Sequence, residues 1–168
     1  FVGDGDRQYL TGLKMGGERP VILVDASASM LDETIVNIIR RRNMATAQKM
    51  KSRKWNQVVE SVDWITTQLS ASSQFQVYVF SGEARPVVSG SEGRWLDASD
   101  PKDLDESVAR LGEVIPEGGT NLHAAFEAIA RLRPRPDNIF LLTDGLPTLD
   151  SPPSERSLFS RKTVDESD

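Results

Sequence analysis

The sequence predicts an α/β fold built on an open, mainly parallel sheet. Three short apolar runs without helical periodicity end at Asp25, Phe80 and Thr143, and such runs are typical of strands buried on both faces of a sheet. Amphipathic patterns at helical spacing separate these runs. Strands that alternate with helices favour parallel pairing, because parallel neighbours need a long crossover connection between them.

The composition is that of one ordinary globular domain. Of the 168 residues, 38% are hydrophobic and 27% are charged. The chain contains no cysteine, which excludes disulfides, thiol catalysis and thiolate metal sites. The formal net charge of −5 argues against a specific nucleic-acid partner.

The first half of the chain is expected to contain an arm, a helix and three strands. Within the N-terminal arm, residues 1–20, residues 8–15 are expected to form a short strand or a hairpin. Residues 75–80 form the second strand, and residues 84–89 pair back on it as an antiparallel edge strand that tolerates Pro86. The helix before them carries an apolar stripe of Trp55, Val58, Val59, Val62, Ile65 and Leu69.

Two further helices are expected to precede the fourth strand. Residues 102–113 show a short amphipathic pattern. The helix at residues 122–132 should leave His123 partly exposed, and residues 138–143 form the fourth strand. A polar tail, residues 148–168, follows the predicted domain, which spans residues 21–147. The side chains that the helix at 122–132 is expected to bury are Leu122, Phe126, Ile129 and Leu132.

Three oxygen side chains follow the first strand within five residues, namely Asp25, Ser27 and Ser29. Hard divalent cations such as Mg²⁺ prefer oxygen ligands, so this D-x-S-x-S segment is a candidate metal loop. Two structural alternatives stay open. Either serine could be the N-cap of the next helix, or the segment could be a solvated loop.

Two later segments favour the metal loop. A G-G-T-N segment places Thr120 just before a helix, and an L-L-T-D-G segment ends the fourth strand at Asp144. The three motifs in this order resemble the von Willebrand factor type A domain with a metal-ion-dependent adhesion site. The resemblance runs from about residue 21 to residue 147.

The resemblance implies a site and a function. Ser27 and Ser29 would bind Mg²⁺, or Mn²⁺ or Ca²⁺, through their hydroxyls. Thr120 would bind directly or through water, and Asp25 and Asp144 would supply negative charge, largely through water. The implied module is not an enzyme, and a partner protein completes the metal coordination with an Asp or Glu.

The resemblance also implies a Rossmann-like topology with helices on both faces. With the four strands numbered along the chain from residue 21, the expected sheet order is 3-2-1-4, with strand 3 as the antiparallel edge. Strands 1 and 4 then meet at a topological switch point, where their carboxyl ends leave a crevice. Two carboxylates in this crevice would repel each other, so a bound cation should raise folding stability.

The chain departs from the family pattern at its C-terminal end. No runs corresponding to the family's last two strands follow Pro147, so we expect a C-terminally truncated fold. Residues 138–143 would then form an open edge that invites self-association or pairing with a partner. The Ser29-Met30 ending of the first motif is closer to the prokaryotic and intracellular branches than to integrins. A bacterial cell envelope or periplasm is the location that this implies, with the cytoplasm as the alternative.

A basic insertion, residues 32–53, is expected between the metal loop and the first helix. Residues 40–54 contain seven basic residues and no acidic one, whereas the rest of the chain has 13 basic and 25 acidic residues. Such a run is usually a solvated surface, but it could also attract an acidic partner toward the metal. The candidate partner-binding residues are Arg40, Arg41, Arg42, Lys49 and Lys51.

Two enzymatic hypotheses compete with the binding module. A Mg²⁺-dependent hydrolase such as a phosphoesterase could use the same carboxylates to hold its metal. A Ser/His/Asp hydrolase would need His123 beside Ser27 or Ser29. Neither a P-loop nor a G-x-S-x-G segment occurs in the sequence.

Overall fold

The computed structural model describes residues 8–10, 13–31 and 52–145. Within these residues the strands are β1 (Gln8–Leu10), β2 (Leu13–Met15), β3 (Pro20–Asp25), β4 (Gln74–Phe80), β5 (Ala84–Pro86), β6 (Leu96–Asp97) and β7 (Asn138–Leu142). The helices are α1 (Arg53–Thr67), α2 (Pro101–Gly112) and α3 (Leu122–Ala130), and a 3₁₀ turn spans Ala28–Leu31.

The main sheet has the order β5-β4-β3-β7. β3 pairs in parallel with both β4 and β7, and β5 pairs antiparallel with β4. The predicted α/β class and the predicted order 3-2-1-4 are therefore confirmed. β1 and β2 form a separate antiparallel pair within the N-terminal arm.

Two details of the sheet differ from the prediction. The edge strand ends at Pro86 rather than residue 89, although the Val87 amide still donates to the Val77 carbonyl at 2.9 Å. The short strand β6, which was not predicted, pairs with the start of β4. Two residues are too few to produce a periodic pattern, so β6 could not be recognised from the sequence.

The central strand β3 is buried on both faces. All of its residues are buried, and Val21, Ile22, Leu23 and Val24 are each 0% exposed. Because side chains alternate along a strand, Ile22 and Val24 pack in one cluster while Val21 and Leu23 pack in the other. The first cluster includes side chains of α1 and α2, and the second includes side chains of α3. Helices therefore cover both faces, as expected for a Rossmann-like sheet.

Helix α1 begins where Ser52 caps it. The Ser52 side chain accepts a hydrogen bond from the Trp55 amide, a typical N-cap contact. Arg53, the last residue of the predicted basic insertion, is the first residue of α1, and the extent of that insertion stays a prediction. The remainder of that insertion, residues 32–51, lies outside the described residues.

Helix α3 presents a different apolar face from the predicted one. Ala125 and Ile129 are buried against the sheet, whereas Phe126 is 45% exposed. The spacing Leu122, Ala125, Ile129 follows the inner face of a 3.6-residue helix, and Phe126 lies next to that face rather than on it. The prediction that Phe126 is buried was wrong.

Strand β7 lies at one end of the sheet and pairs only with β3 in the part of the chain that the structure describes. Phe140 and Leu142 pack with the α1–α2 cluster. Ile139 and Leu141 lie on the opposite face and are 39% and 40% exposed. No helix among the described residues is both long and apolar enough to cross a membrane.

Candidate metal centre

The sheet topology brings two of the predicted segments to one point. β3 and β7 are parallel neighbours, and their register pairs Val24 with Leu142. Asp25 and Thr143 are the next residues along the two strands, so the chain leaves the sheet at the same level on both. This is the carboxyl-end crevice in which open α/β sheets bind ligands.

The first loop is folded around the Asp25 carboxylate. Asp25 is 0% exposed, and its Oδ1 accepts the Ser27 amide at 2.8 Å. The chain then enters the 3₁₀ turn, in which the Met30 amide donates to the Ser27 carbonyl at 3.0 Å. The Ser27 and Ser29 hydroxyl oxygens lie 2.8 Å apart. Ser52 caps α1, so neither serine is the N-cap of that helix. Residues 32–51, which follow the loop directly, lie outside the described residues.

The second loop is tied to the first through its backbone. The Glu117 amide donates to the Ala26 carbonyl at 2.8 Å, and the Ala28 amide donates to the Gly118 carbonyl at 3.0 Å. Gly118 has φ +79°, a conformation that favours glycine. These bonds fix the path of the loop that carries Thr120.

Thr120 itself faces Asp25. The residue is 3% exposed, and its hydroxyl lies 3.4 Å from Asp25 Oδ2. The next residue, Asn121, caps α3 by accepting the Ala124 amide at 3.1 Å. The capping role therefore belongs to Asn121, and the threonine hydroxyl remains directed toward the crevice.

The third segment closes the cluster. The Ser29 hydroxyl donates to Asp144 Oδ1 at 2.9 Å, across 115 positions of sequence. The structure thus brings all five predicted metal-site residues together, from three segments of the chain. Metal binding by these residues stays a prediction.

Two further residues belong to the cluster and were not predicted. The Thr143 hydroxyl donates to Asp25 Oδ2 at 2.8 Å. Lys54 makes an ion pair with Asp144 Oδ2, and its Nζ also donates to the Ser29 carbonyl at 3.0 Å. Thr143 stood within the L-L-T-D-G motif, and Lys54 was counted only as one charge of the basic run. Neither motif nor spacing indicated that these two side chains point into the site.

The donor set has the chemistry of a site for a hard cation. The five predicted residues offer three hydroxyls and two carboxylates, all oxygen donors, as Mg²⁺, Mn²⁺ or Ca²⁺ require. Within the described segments, no group of three or more His, Cys, Asp or Glu side chains is placed to hold a metal.

The charge of Asp25 is the feature that such a cation would complement. Its described hydrogen-bond donors are the Ser27 amide and the Thr143 and Thr120 hydroxyls, all of them neutral. In residues 8–10, 13–31 and 52–145, no lysine or arginine forms an ion pair with Asp25. A fully buried carboxylate without a counter-charge is costly, so the residues present fit a bound cation.

The other candidate residues do not enter the cluster. The His123 side chain is 62% exposed on α3, and its Nδ1 lies 3.9 Å from Glu127 Oε2. No hydrogen bond joins His123 to Ser27 or Ser29 among the described residues, as a Ser/His/Asp hydrolase would require. The candidate partner-binding residues Arg40, Arg41, Arg42, Lys49 and Lys51 lie outside the described residues.

The sequence matches one known domain family over most of its length. The sequence model of the von Willebrand factor type A domain matches residues 21–146, well over half of the chain. The inter-alpha-trypsin inhibitor heavy chain H4 of Sus scrofa is 29% identical over 132 residues, which cover 71% of this chain and 14% of that protein. The chain therefore spans only a small part of this relative.

A solved structure, a von Willebrand factor type A protein from Catenulispora acidiphila, is similar with a TM-score of 0.47 and 22% identity. The match covers 69% of this chain and 22% of that chain. Domains of the matched family are generally involved in protein interaction and adhesion, and they are usually non-enzymatic. The extent of the family match shows that this chain belongs to the von Willebrand factor type A domain family.

Proposed function

We propose that this chain is a non-enzymatic protein-binding module that depends on a divalent cation. The cation is Mg²⁺, with Mn²⁺ and Ca²⁺ as alternatives, and it is held by Asp25, Ser27, Ser29, Thr120 and Asp144. An Asp or Glu side chain of a partner protein completes its coordination. The non-enzymatic part of this proposal follows the usual behaviour of the family.

The observation that carries the proposal is the buried charge of Asp25. This carboxylate is 0% exposed and sits among neutral donors, while the hydroxyls of Ser27 and Ser29 lie beside it on the same loop. A divalent cation at this point would neutralise Asp25 and use the two hydroxyls as ligands. A solvated loop would not need to bury the carboxylate.

The five residues have two roles, which are direct coordination of the cation and supply of negative charge. The Ser27 and Ser29 hydroxyls are the direct ligands, and Thr120 binds directly or through water. Asp25 and Asp144 supply negative charge, largely through water. Since three hydroxyls and water leave the cation strongly electropositive, a partner carboxylate forms a charge-assisted contact that a neutral amide cannot replace.

The surface beside the site has room for a partner. A cleft of about 810 Å³ adjoins Ala26 and Gly118 and is lined mainly by residues 81–85 and 114–118. These two segments are the β4–β5 connection with the start of β5, and the loop that carries Thr120 toward the site. A peptide that places its carboxylate on the cation would extend over this cleft.

The Ser27→Ala variant tests the proposal, because it removes one direct ligand. We expect Mg²⁺ or Mn²⁺ affinity, measured by titration calorimetry, to fall by more than about tenfold. Capture of peptides that carry a single Asp or Glu should require the metal and should be lost in chelator. The Ser72→Ala variant is the matched control, because Ser72 is an exposed serine whose described hydrogen bonds, from its hydroxyl and its amide, are both with the Ser70 hydroxyl oxygen.

Two results would contradict the proposal. The first is a wild-type chain that shows no heat of binding with any of the three metals. The second is peptide capture that persists in chelator, or that does not change when Asp and Glu of the peptides are replaced by Asn and Gln.

A further inference from the structure

We propose that Lys54 is a built-in competitor of the divalent cation and sets the metal concentration at which the site is loaded. The inference rests on the proposed function, since it concerns the same site. Lys54 lies in helix α1, outside the three family motifs, and its ammonium group is the described cation that contacts the cluster.

The two oxygens of the Asp144 carboxylate have different partners. Oδ1 accepts the Ser29 hydroxyl at 2.9 Å, and Oδ2 is paired with the Lys54 ammonium. The same ammonium donates to the Ser29 carbonyl at 3.0 Å. Lys54 therefore contacts two of the five proposed metal-site residues, and both of these contacts use oxygen atoms at the edge of the cluster.

The start of α1 is hydrogen-bonded to the end of the metal loop through Ser52. Ser52 caps the helix, and its hydroxyl donates to the Leu31 carbonyl at 2.6 Å, at the end of the 3₁₀ turn. Trp55, the residue after Lys54, is 1% exposed. The first turn of α1 is thus fastened to the loop that carries Ser27 and Ser29, so the lysine stem starts from a fixed point.

A lysine at this position is electrostatically unusual. It is the second residue of α1, where the positive end of the helix dipole disfavours a cation, and the first turn contains no acidic residue. The compensating negative charge comes from Asp144, at the end of β7. The ion pair therefore connects α1 to the metal-site residues, and it does not improve the interaction of α1 with its own helix dipole.

The net charge of the site predicts that Lys54 weakens metal binding. Asp25 and Asp144 carry two negative charges, and Lys54 offsets one of them. Adding a divalent cation changes the net charge of this group from −1 to +1, whereas without Lys54 the change is from −2 to 0. The ammonium thus repels the incoming ion and also stabilises the metal-free site.

The size of the antagonism is limited by solvent. The side chains of Lys54 and Asp144 are 23% and 16% exposed, so water screens the pair partially and the ammonium can move outward. We therefore expect a graded effect on affinity, not an all-or-none block. Lys54 thus raises the metal concentration at which the site is half occupied.

The Lys54→Met variant tests the inference, because methionine keeps the length of the stem and removes the charge. Its Mg²⁺ and Mn²⁺ affinities, measured by titration calorimetry at fixed ionic strength, should be about fivefold tighter than those of the wild type. The Arg53→Met variant, which removes a neighbouring exposed cation of the same helical turn, should stay within about twofold. Lys54→Arg keeps the charge and should bind metal like the wild type.

Thermal unfolding provides a second readout. In chelator, Lys54→Met should unfold at a lower temperature than the wild type, because two carboxylates then lack a counter-charge. Saturating Mg²⁺ should remove this difference. A variant that is equally stable in chelator would contradict the proposal that Lys54 stabilises the metal-free site.

The outcomes separate this inference from the proposed function. If the wild type binds metal and Lys54→Met binds it equally or more weakly, the inference is wrong while the proposed function stands. If neither protein binds metal, both are wrong. If only Lys54→Met binds metal, the competition is supported, and the proposal that the wild-type chain is a loaded module is contradicted.

Discussion

Asp25 carries the strongest local constraint in the molecule, because the fold buries a carboxylate completely at the end of its central strand. Leaving such a group without partners would cost several kcal/mol. The Ser27 amide and the Thr143 hydroxyl, both at 2.8 Å, provide its short hydrogen bonds. The Thr143 contact also joins β3 to the end of β7, so this one hydroxyl couples the charge of Asp25 to the position of Asp144.

Replacing Thr143 by Val should therefore destabilise the metal-free chain. A hydrogen bond to a charged group contributes about 1.5–3 kcal/mol, and we expect a loss in this range for the free energy of unfolding, measured with urea in chelator. Thr143→Ser keeps the hydroxyl and should lose far less. Equal stabilities of the Val and Ser variants would show that the contact with Asp25 does not support the fold.

Among the elements of the main sheet, β7 combines an end position with two partly exposed apolar side chains. It pairs with β3 alone in the part of the sheet that the structure describes, and Ile139 and Leu141 are about two-fifths exposed on one of its faces. Open apolar edges favour pairing with another strand. We propose that this edge is a site of self-association or of partner pairing.

Replacing Leu141 by Lys tests the edge, because a charge on an edge strand opposes strand addition. The variant should show less concentration-dependent association in sedimentation velocity, with a stability change within about 1 kcal/mol, since Leu141 is already 40% exposed. Ser72→Lys, a charge added at an exposed turn, is the control. A wild-type chain that stays monomeric at every concentration tested would argue against self-association at this edge.

The elements also show what the sequence could and could not predict. The buried run before Asp25 and the stripe through Trp55 and Val62 were recognisable, because burial on two faces and burial on one face leave different periodicities. The face of α3 that packs on the sheet was not recognisable, because Phe126 and Ala125 are both apolar and only packing decides which one faces the sheet. The short strand β6 was missed because its pairing depends on β4.

The candidate site divides in the same way. Asp25, Ser27, Ser29, Thr120 and Asp144 were predictable, because each lies in a motif at the end of a strand or the start of a helix. Thr143 and Lys54 enter the cluster through the register of β7 beside β3 and through the docking of α1. The register of β7 and the docking of α1 are tertiary contacts between segments distant in sequence, so they cannot be predicted from local composition.

At the scale of the whole molecule, charge is unevenly distributed. The chain has a net charge of −5, although seven of its 20 basic residues lie in the segment 40–54. Helix α1 begins in that segment, and Lys54 is the member that contacts the site. We propose that the remaining charges of the segment raise the rate at which an acidic partner associates, an effect that should weaken with salt.

Metal binding should also be visible in the stability of the whole chain. A ligand that binds only the folded state stabilises it by about 2.7 kcal/mol at a free concentration 100 times its dissociation constant. For a domain of this size, 1 kcal/mol corresponds to about 2–4 °C in Tm, so saturating Mg²⁺ should raise Tm by roughly 5–10 °C. The physical source is the removal of repulsion between Asp25 and Asp144 together with the neutralisation of the buried Asp25.

Potassium chloride at matched ionic strength separates this linkage from general screening and should give a much smaller shift. At the same Mg²⁺ concentration the Ser27→Ala variant, with its affinity lowered more than about tenfold, should show at most about half of this shift. A wild-type Tm that does not change with any of the three divalent metals would mean that the cluster is held together by its hydrogen bonds and by Lys54 alone.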